Sequence, residues 1–370
     1  MLKNEILPYY IKAGIFFVGI SAFIAILYIA QSLIIPLIFA LIIAILLNPL
    51  VNFFVRIKIN RFLAIAITLL LAILVIVAFC AFLFSQLSQF SDSWPKLVEK
   101  FTLLINQGIS SLANRFDINP KNIYQWISNL QSEIINTGSS AIGRTLLTVG
   151  STIAVVLLIP VYVFLILYYK PLLLEFIRII FAEHHHSEMD VIVNQTKTVI
   201  QHYLVGLLIE ALIILTLDAA TLLILGIEYA ILLGILGALL NMIPYVGGLV
   251  AVAMPMMVAL VTKDSAWYAM YILIIYYLIQ LFDNNYIVPI IVASKVKINA
   301  LFSIIVVLVG NALWGIPGMF LSIPLLAIVK VIFDHIDSLK PWGYLLGDSM
   351  PAKIISKPNL KKIYRTRADK

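Results

Sequence analysis

Long apolar runs separated by short polar segments follow one another along nearly the whole chain. Several runs reach the roughly 20 residues that a helix needs to cross a bilayer core about 30 Å thick. We predict eight membrane elements, over residues 11–32, 33–54, 61–86, 146–169, 200–226, 228–262, 266–291 and 299–333. The pattern therefore predicts an all-α polytopic membrane protein.

The composition agrees with this pattern. Of the 370 residues 62% are hydrophobic and 12% charged, and the mean hydropathy is +1.06, which leaves too little polar surface for a water-soluble fold. The first run is too long for a signal peptide and lacks a small-x-small cleavage site, so we expect it to be retained. A single cysteine, Cys80, excludes a disulfide framework and a thiolate metal site.

The basic residues predict an orientation. If the N-terminus is cytoplasmic, 19 of the 25 Lys and Arg residues fall on the cytoplasmic side, the C-terminus included, as the positive-inside rule requires. The formal charge of +7 is thus explained by interfacial loops and a basic tail, and we expect no nucleic-acid partner.

Five regions follow from these spans. The long polar loop has helical apolar spacing, with Asn119 and Pro120 as a helix start, and we expect it to form a small extracytoplasmic helical insertion that serves as a gate, an oligomer contact or a solvated connector. The regions are a three-span region (1–86), the insertion (87–145), a fourth span with a cytoplasmic interfacial helix (146–198), a transport core (199–333) and a basic cytoplasmic tail (334–370).

Three adjacent histidines, His184 to His186, precede a capping box at Ser187–Asp190. A metal site needs several convergent ligands, which neighbouring residues on one flexible loop seldom supply. We expect a solvated loop there, and neither a metal nor a cofactor.

Two of the apolar runs are interrupted at matching positions. The first contains Asn241, "IPYVGG" and Pro255; the second contains Asn311, "LWGIPG" and Pro324, with Asn-to-Pro separations of 14 and 13 residues. The half-segments of the first run span only about 20 to 24 Å as helices, so re-entrant hairpins fit better than full spans. One hairpin would enter from each side, which makes the C-terminal half an inverted repeat of a span plus a hairpin.

Broken helices at membrane depth are tolerated where protein or a water-filled cavity satisfies the backbone. We therefore predict that the interruptions line a transport pathway and that the hairpin tips meet near the membrane midplane. The alternative is that Pro and Gly merely kink packed helices.

Ionisable groups within the predicted spans extend this pathway. Glu210 and Asp218 lie roughly 10 and 22 Å into one span, and Asp283 lies in the polar group "QLFDNN". A carboxylate in a membrane costs a few kcal/mol and should face a cavity or a partner. Structural polar contacts, or for Asp283 a hydrated helix end before Pro289, are the alternatives.

The predicted transport-pathway residues are the carboxylates, the polar side chains near them and the two interruptions. They are Glu210, Asp218, Asn241, Pro244, Tyr245, Gly247, Gly248, Gln280, Asp283, Asn284, Asn285, Pro289, Asn311, Trp314, Gly315, Pro317 and Gly318.

The segments "LGIEYAILLGILGALLNMIPYVGGLVAVAMPMMVAL", "DNNYIVPIIV" and "GNALWGIPGMFLSIPLLAIVKVI" resemble signature blocks of the autoinducer-2 exporter family of bacterial permease-like transporters. The resemblance implies a multi-pass bacterial inner-membrane protein, an oligomer for which a pentamer is the expectation, and export of small polar molecules such as autoinducer-2. It also implies an alternative, because some members are described as sodium(lithium)/proton antiporters. The His-Pro pair frequent in the family is replaced here by Asn299 and Ala300, which bears on specificity or coupling.

Three function classes are compared: a secondary transporter, a passive channel and an enzyme. A secondary transporter that moves a small polar solute, or a monovalent cation against protons, fits best; a passive channel could use the same hairpins. An enzyme is not expected, because the sequence has neither a Gly-x-Ser-x-Gly nor a His-Glu-x-x-His motif, and without a Gly-Lys pair it has no P-loop.

Overall fold

The computed structural model describes residues 8–116, 157–180, 186–242, 247–292 and 298–348. Within these ranges all the secondary-structure elements of several residues are helices. A π-helix, Asp283–Val292, follows α9 without a break. The α-helices are α1 (Tyr9–Ile29), α2 (Gln31–Arg56), α3 (Arg61–Phe116), α4 (described over Leu157–Tyr168), α5 (Lys170–Ile180), α6 (His186–Ile224), α7 (Ala230–Asn241), α8 (Gly247–Thr262), α9 (Trp267–Phe282), α10 (Ala300–His335) and α11 (Lys340–Leu346).

Five of these helices are long and apolar enough to cross a membrane: α2, α3, α6, α9 with its π-helix, and α10. The pair α4 and α5, bent by 64° at their junction, makes a sixth candidate. Large apolar side chains are exposed all along α1 and the first half of α3, as expected where the surrounding solvent is lipid. The chain is therefore an all-helical polytopic membrane protein, as the sequence predicted.

Polar contacts join four helices at one end of the bundle. Arg61 at the start of α3 donates to the carbonyl of Leu167 in α4 (2.8 Å), and Gln201 of α6 donates to the carbonyl of Ile45 in α2 (2.6 Å). At the same end, Ile192 of α6 packs with Val331 of α10. Arg61, Lys170 and Lys197 thus lie at one end of the bundle.

Helix α7 runs antiparallel to α6. The chain reverses between α6 and α7 through Gly226 and Tyr229, which both have positive φ (63° and 58°). The two helices then approach closely, since a Cβ on Gly234 would lie 2.9 Å from Ala219 Cβ. The glycine is what allows the backbone of α7 to lie against α6.

Helix α10 is itself an antiparallel hairpin. Gly315 has a non-helical backbone (φ 64°, ψ −142°), and Ser322 donates a hydrogen bond to the carbonyl of Val306 (2.9 Å). In a straight helix sixteen residues would separate these groups by about 24 Å. The arms 300–314 and 316–335 meet at Gly310 and Gly318, whose backbones touch.

Helix α3 differs from the sequence prediction. The third span was expected to end at residue 86 and to be followed by a separate helical insertion, whereas α3 continues unbroken through Pro95 to Phe116. Buried Phe90, Trp94, Leu97 and Val98 follow the helical repeat and pack in one cluster with the α6–α7 turn and with α8. This continuous stripe holds the extension on the core, so the span has no turn after it; residues 117–145, with the predicted helix start at Asn119, lie outside the described part of the chain.

Candidate functional site: a buried carboxylate cluster

Helix α6 carries two buried carboxylates, Glu210 and Asp218, which are 5% and 3% exposed. Eight residues turn the helix by about 80° beyond two full turns, so both side chains belong to one broad face. That face is covered by α7 and by the π-helix, which carries the third carboxylate. The antiparallel packing of α6 and α7 therefore buries the two carboxylates in the apolar part of α6.

Asn241, the last residue of α7, connects two of the carboxylates. Its side-chain nitrogen donates to Asp283 Oδ2 at 3.0 Å and lies 3.4 Å from Glu210 Oε1. An amide NH₂ carries two hydrogens, so one group can serve both acceptors. Helices α6 and α7 and the π-helix thus converge on a single amide.

Asp283, 1% exposed, opens the π-helix. Pro289 has no N–H to continue the α-helical bonding pattern, and the Asn285 side chain donates to the Leu281 carbonyl (2.7 Å), so the backbone widens here. Gln280, one turn before, lies with its side-chain nitrogen 3.5 Å from Asp283 Oδ2. The widened backbone places Asp283 inside the bundle while its neighbours Asn284 and Asn285 stay on the exposed surface.

Asp218 occupies space that a missing side chain provides. A Cβ on Gly237 of α7 would lie 2.8 Å from Asp218 Oδ2. Within the described residues, Asp218 Oδ1, Asp283 Oδ1 and the hydroxyl of Tyr276 are buried without a hydrogen-bond partner. Buried polar atoms normally have partners, and each of these three could still make a hydrogen bond to a further group.

The cluster has no fixed positive charge. Among the described residues, no Lys, Arg or His forms an ion pair with Glu210, Asp218 or Asp283. No set of three His, Cys, Asp or Glu side chains in those same ranges is close enough together to hold one metal ion. The arrangement is therefore suited to protons or to a cation held by only part of the cluster.

The second interruption lies elsewhere in the bundle. Trp314 is buried and donates from Nε1 to the carbonyl of Leu27 in α1 (3.1 Å), while Asn311 is exposed. Gly315 makes the turn of the hairpin, Pro317 is half-buried after it, and Gly318 packs on the opposite arm.

The first interruption is described only in part. Gly247 and Gly248 open α8, whereas Pro244 and Tyr245 lie outside the described residues. Met242 at the end of α7 and Leu313 of α10 belong to one hydrophobic cluster, centred on buried Leu207 and Trp314. Residues next to the two interruptions thus pack against the same apolar cluster.

Two residues of the cluster were missed from sequence. Tyr276 precedes Gln280 by four residues and Asp283 by seven, so the three share a helix face, and this i, i+4, i+7 polar stripe was readable in advance. Gly237 gives no comparable signal, because glycine is common in membrane helices and only the position of Asp218 shows its role.

Known proteins resemble this chain over most of its length. The model of the family "AI-2E family transporter" matches residues 17–338. The AI-2 transport protein TqsA of Escherichia coli (strain K12) is 26% identical over 329 residues, covering 86% of this chain and 90% of TqsA.

Other relatives match over shorter stretches. PerM of Escherichia coli (strain K12) is 25% identical over 250 residues, or 67% of each protein. YueF of Bacillus subtilis (strain 168) is 26% identical over 239 residues, which cover 64% of this chain but only 61% of YueF. Because the family match extends over both hairpins and all three carboxylates, this chain belongs to the AI-2E family of transporters.

Proposed function

We propose that this protein is a secondary transporter that exports a small polar solute and exchanges protons at the cluster of Glu210, Asp218 and Asp283. The observation that carries the proposal is the single amide of Asn241, which serves carboxylates from two different helices. A shared donor makes the protonation of one carboxylate depend on that of the other. Such coupling is what an exchanger needs at its central site.

Burial supplies the driving force for proton uptake. An isolated ionised carboxylate in a low-dielectric environment is very costly unless it is paired, hydrogen-bonded or protonated. The cluster offers amides but no cationic side chain in the described ranges. Charge can therefore be balanced only by a proton or by a bound cation.

The topology that we propose has about eight membrane elements, with α7–α8 and the two arms of α10 as re-entrant hairpins of an inverted repeat. The lengths of α7 and α8, 12 and 16 residues, correspond to about 18 and 24 Å, less than the hydrocarbon core. The reversal at Gly315 supports the same reading for α10. Transporters with inverted repeats carry their sites at the repeat interface, where the carboxylates lie in this proposal.

The proposed setting is a bacterial inner membrane with both termini cytoplasmic, where the chain forms a homo-oligomer, with a pentamer as the first expectation. Support comes from the basic segments gathered at one end of the bundle and from the predominance of Lys and Arg on that side. Autoinducer-2 is the first solute to test, because the relative TqsA is an AI-2 transport protein.

Sodium(lithium)/proton antiport is the second candidate. The specific observation in its favour is the pair of unpartnered carboxylate oxygens, Asp218 Oδ1 and Asp283 Oδ1, since oxygens without a donor can coordinate a hard cation. A cation would then alternate with protons at these atoms.

The test is transport by the purified full chain in proteoliposomes. Autoinducer-2 counterflow is measured together with the internal pH, read from an entrapped dye, with and without an imposed sodium gradient. Solute-dependent proton flux that is lost in Asp283→Asn supports the exporter, and sodium-dependent proton flux without added solute moves the assignment to the antiporter. Asp264→Asn, which removes an exposed carboxylate outside the cluster, is the matched control. Fluxes that are unchanged by Asp283→Asn would count against both.

A further inference from the structure

Three basic side chains from three different helices gather at one end of the bundle. Lys170 begins α5, Lys197 lies in α6 and Arg61 begins α3, and the charges of Lys197 and Arg61 both act on the Lys170 ammonium. All three are half-buried. In the described ranges none of them has an acidic partner. Like charges held together in this way are unfavourable unless an anion joins them.

A neutral donor at the same place also lacks a partner. Asn48 of α2 is 5% exposed, and its Oδ1 accepts a hydrogen bond from Lys170 Nζ at 2.9 Å. Its Nδ2 is buried with no acceptor among the described residues. Leaving a buried donor unsatisfied is unfavourable. The described side chains of the cluster thus offer three cations and one N–H donor without an acceptor, a combination that an oxyanion with several acceptor oxygens would satisfy.

The surroundings favour a lipid as the source of that oxyanion. Helix α5 leads away from Lys170 and exposes Leu172, Phe176 and Ile179 along one face, at 65%, 59% and 65%. Spacings of four and three residues put these side chains on a single stripe. An apolar stripe beside a cationic end is typical of a helix lying in the membrane interface, where acyl chains adjoin the headgroup.

We infer that Lys170, Lys197, Arg61 and Asn48 form a binding site for the phosphate headgroup of an anionic phospholipid. The site is separate from the carboxylate cluster and does not depend on the transport proposal. Basic pockets between membrane helices are a known way of holding acidic headgroups. Bound lipid would join α2, α3, α5 and α6 through one anion.

Lys197 is the residue to change first. Arg61 and Lys170 make hydrogen bonds that connect helices, to the Leu167 carbonyl and to Asn48, so their loss would also affect packing. Among the described residues Lys197 makes no such bond, and Lys197→Gln should leave the fold intact. Lys197→Arg keeps the charge, and Arg56→Gln removes one exposed charge near the same end of the bundle.

The experiment is native mass spectrometry of the purified full chain in detergent, titrated with phosphatidylglycerol or phosphatidylcholine. We expect specific binding of phosphatidylglycerol, weakened about fivefold by Lys197→Gln, restored by Lys197→Arg and unchanged by Arg56→Gln. Equal binding of the two lipids would overturn the inference, as would equal weakening by Lys197→Gln and Arg56→Gln. Inorganic phosphate is added at millimolar concentration as a competitor; displacement of phosphatidylglycerol by phosphate at these concentrations would identify a free-anion site instead.

Discussion

Asn241 and Asp283 face each other across the contact between α7 and the π-helix, with the amide nitrogen 3.0 Å from the carboxylate oxygen. The same nitrogen lies 3.4 Å from Glu210. The end of the first hairpin is therefore bound directly to the two carboxylates that we propose to carry protons.

Replacing this amide should uncouple the carboxylates. We expect Asn241→Leu to lower proton-coupled transport in proteoliposomes by about tenfold or more, because a buried carboxylate that loses its donor costs about 1–3 kcal/mol. Asn52→Leu is the matched control, since Asn52 is exposed on α2 and lies outside the carboxylate cluster. Similar rates for the two variants would show that the amide has no role in coupling.

Filling the space beside Asp218 should have a comparable effect. Gly237→Ala places a methyl group 2.8 Å from Asp218 Oδ2, so the carboxylate must move or α7 must shift. We expect transport to fall about tenfold while the protein still folds, as judged by gel filtration in detergent. Gly19→Ala, whose new methyl group meets nothing within 4 Å, serves for comparison, and an active Gly237→Ala protein would contradict the proposed position of Asp218.

The second hairpin depends on backbone contact. A side chain at Gly318 would overlap the Gly310 carbonyl, so Gly318→Ala should destabilise the protein by about 1–3 kcal/mol, measured as a lower midpoint of thermal unfolding in detergent. Gly14→Ala in α1 has open space around it and should be neutral or slightly stabilising. If the two variants have the same midpoint of thermal unfolding, the two arms of α10 do not meet as described.

The extension of α3 should be energetically coupled to the α6–α7 turn. Tyr229 donates its hydroxyl proton to Ser93 Oγ at 2.7 Å, and its ring packs edge-on against Phe90. A double-mutant cycle with Tyr229→Phe and Ser93→Ala should give a coupling free energy of about 1 kcal/mol. The exposed Tyr277, changed to Phe and paired with Ser93→Ala, should show none.

The proposed orientation can be tested by labelling. Cys80 is the only cysteine, so a Cys80→Ser background allows single thiols to be placed at will. On intact cells stripped of their outer membrane, a membrane-impermeant maleimide should label Lys263→Cys and should reach Arg56→Cys only after lysis. The opposite pattern would invert the topology.

The sequence predicted a helical membrane protein because apolar runs of about twenty residues are stable mainly as helices that cross a bilayer. It also predicted that Glu210, Asp218, Asn241 and Asp283 belong to one region, since intramembrane polar groups need partners. Periodicity could not show that Asn284 and Asn285 point outwards, because this follows from a π-helix that depends on Pro289 and on one side-chain bond. Nor could it show that α3 continues past residue 86, which is decided by tertiary packing around Phe90 and Trp94.

Helix α3 has 56 residues and therefore a contour length of about 84 Å, almost three times the thickness of the hydrocarbon core. Arg61, its first residue, donates a hydrogen bond to α4. The stretch from Phe90 to Val98 is packed against the α6–α7 turn and α8. One continuous helix thus connects α4 with the α6–α7 turn and α8. A rigid tilt of about 5° about its Arg61 end would displace its far end by about 7 Å, so a small shift at the first end would become a larger one at the other.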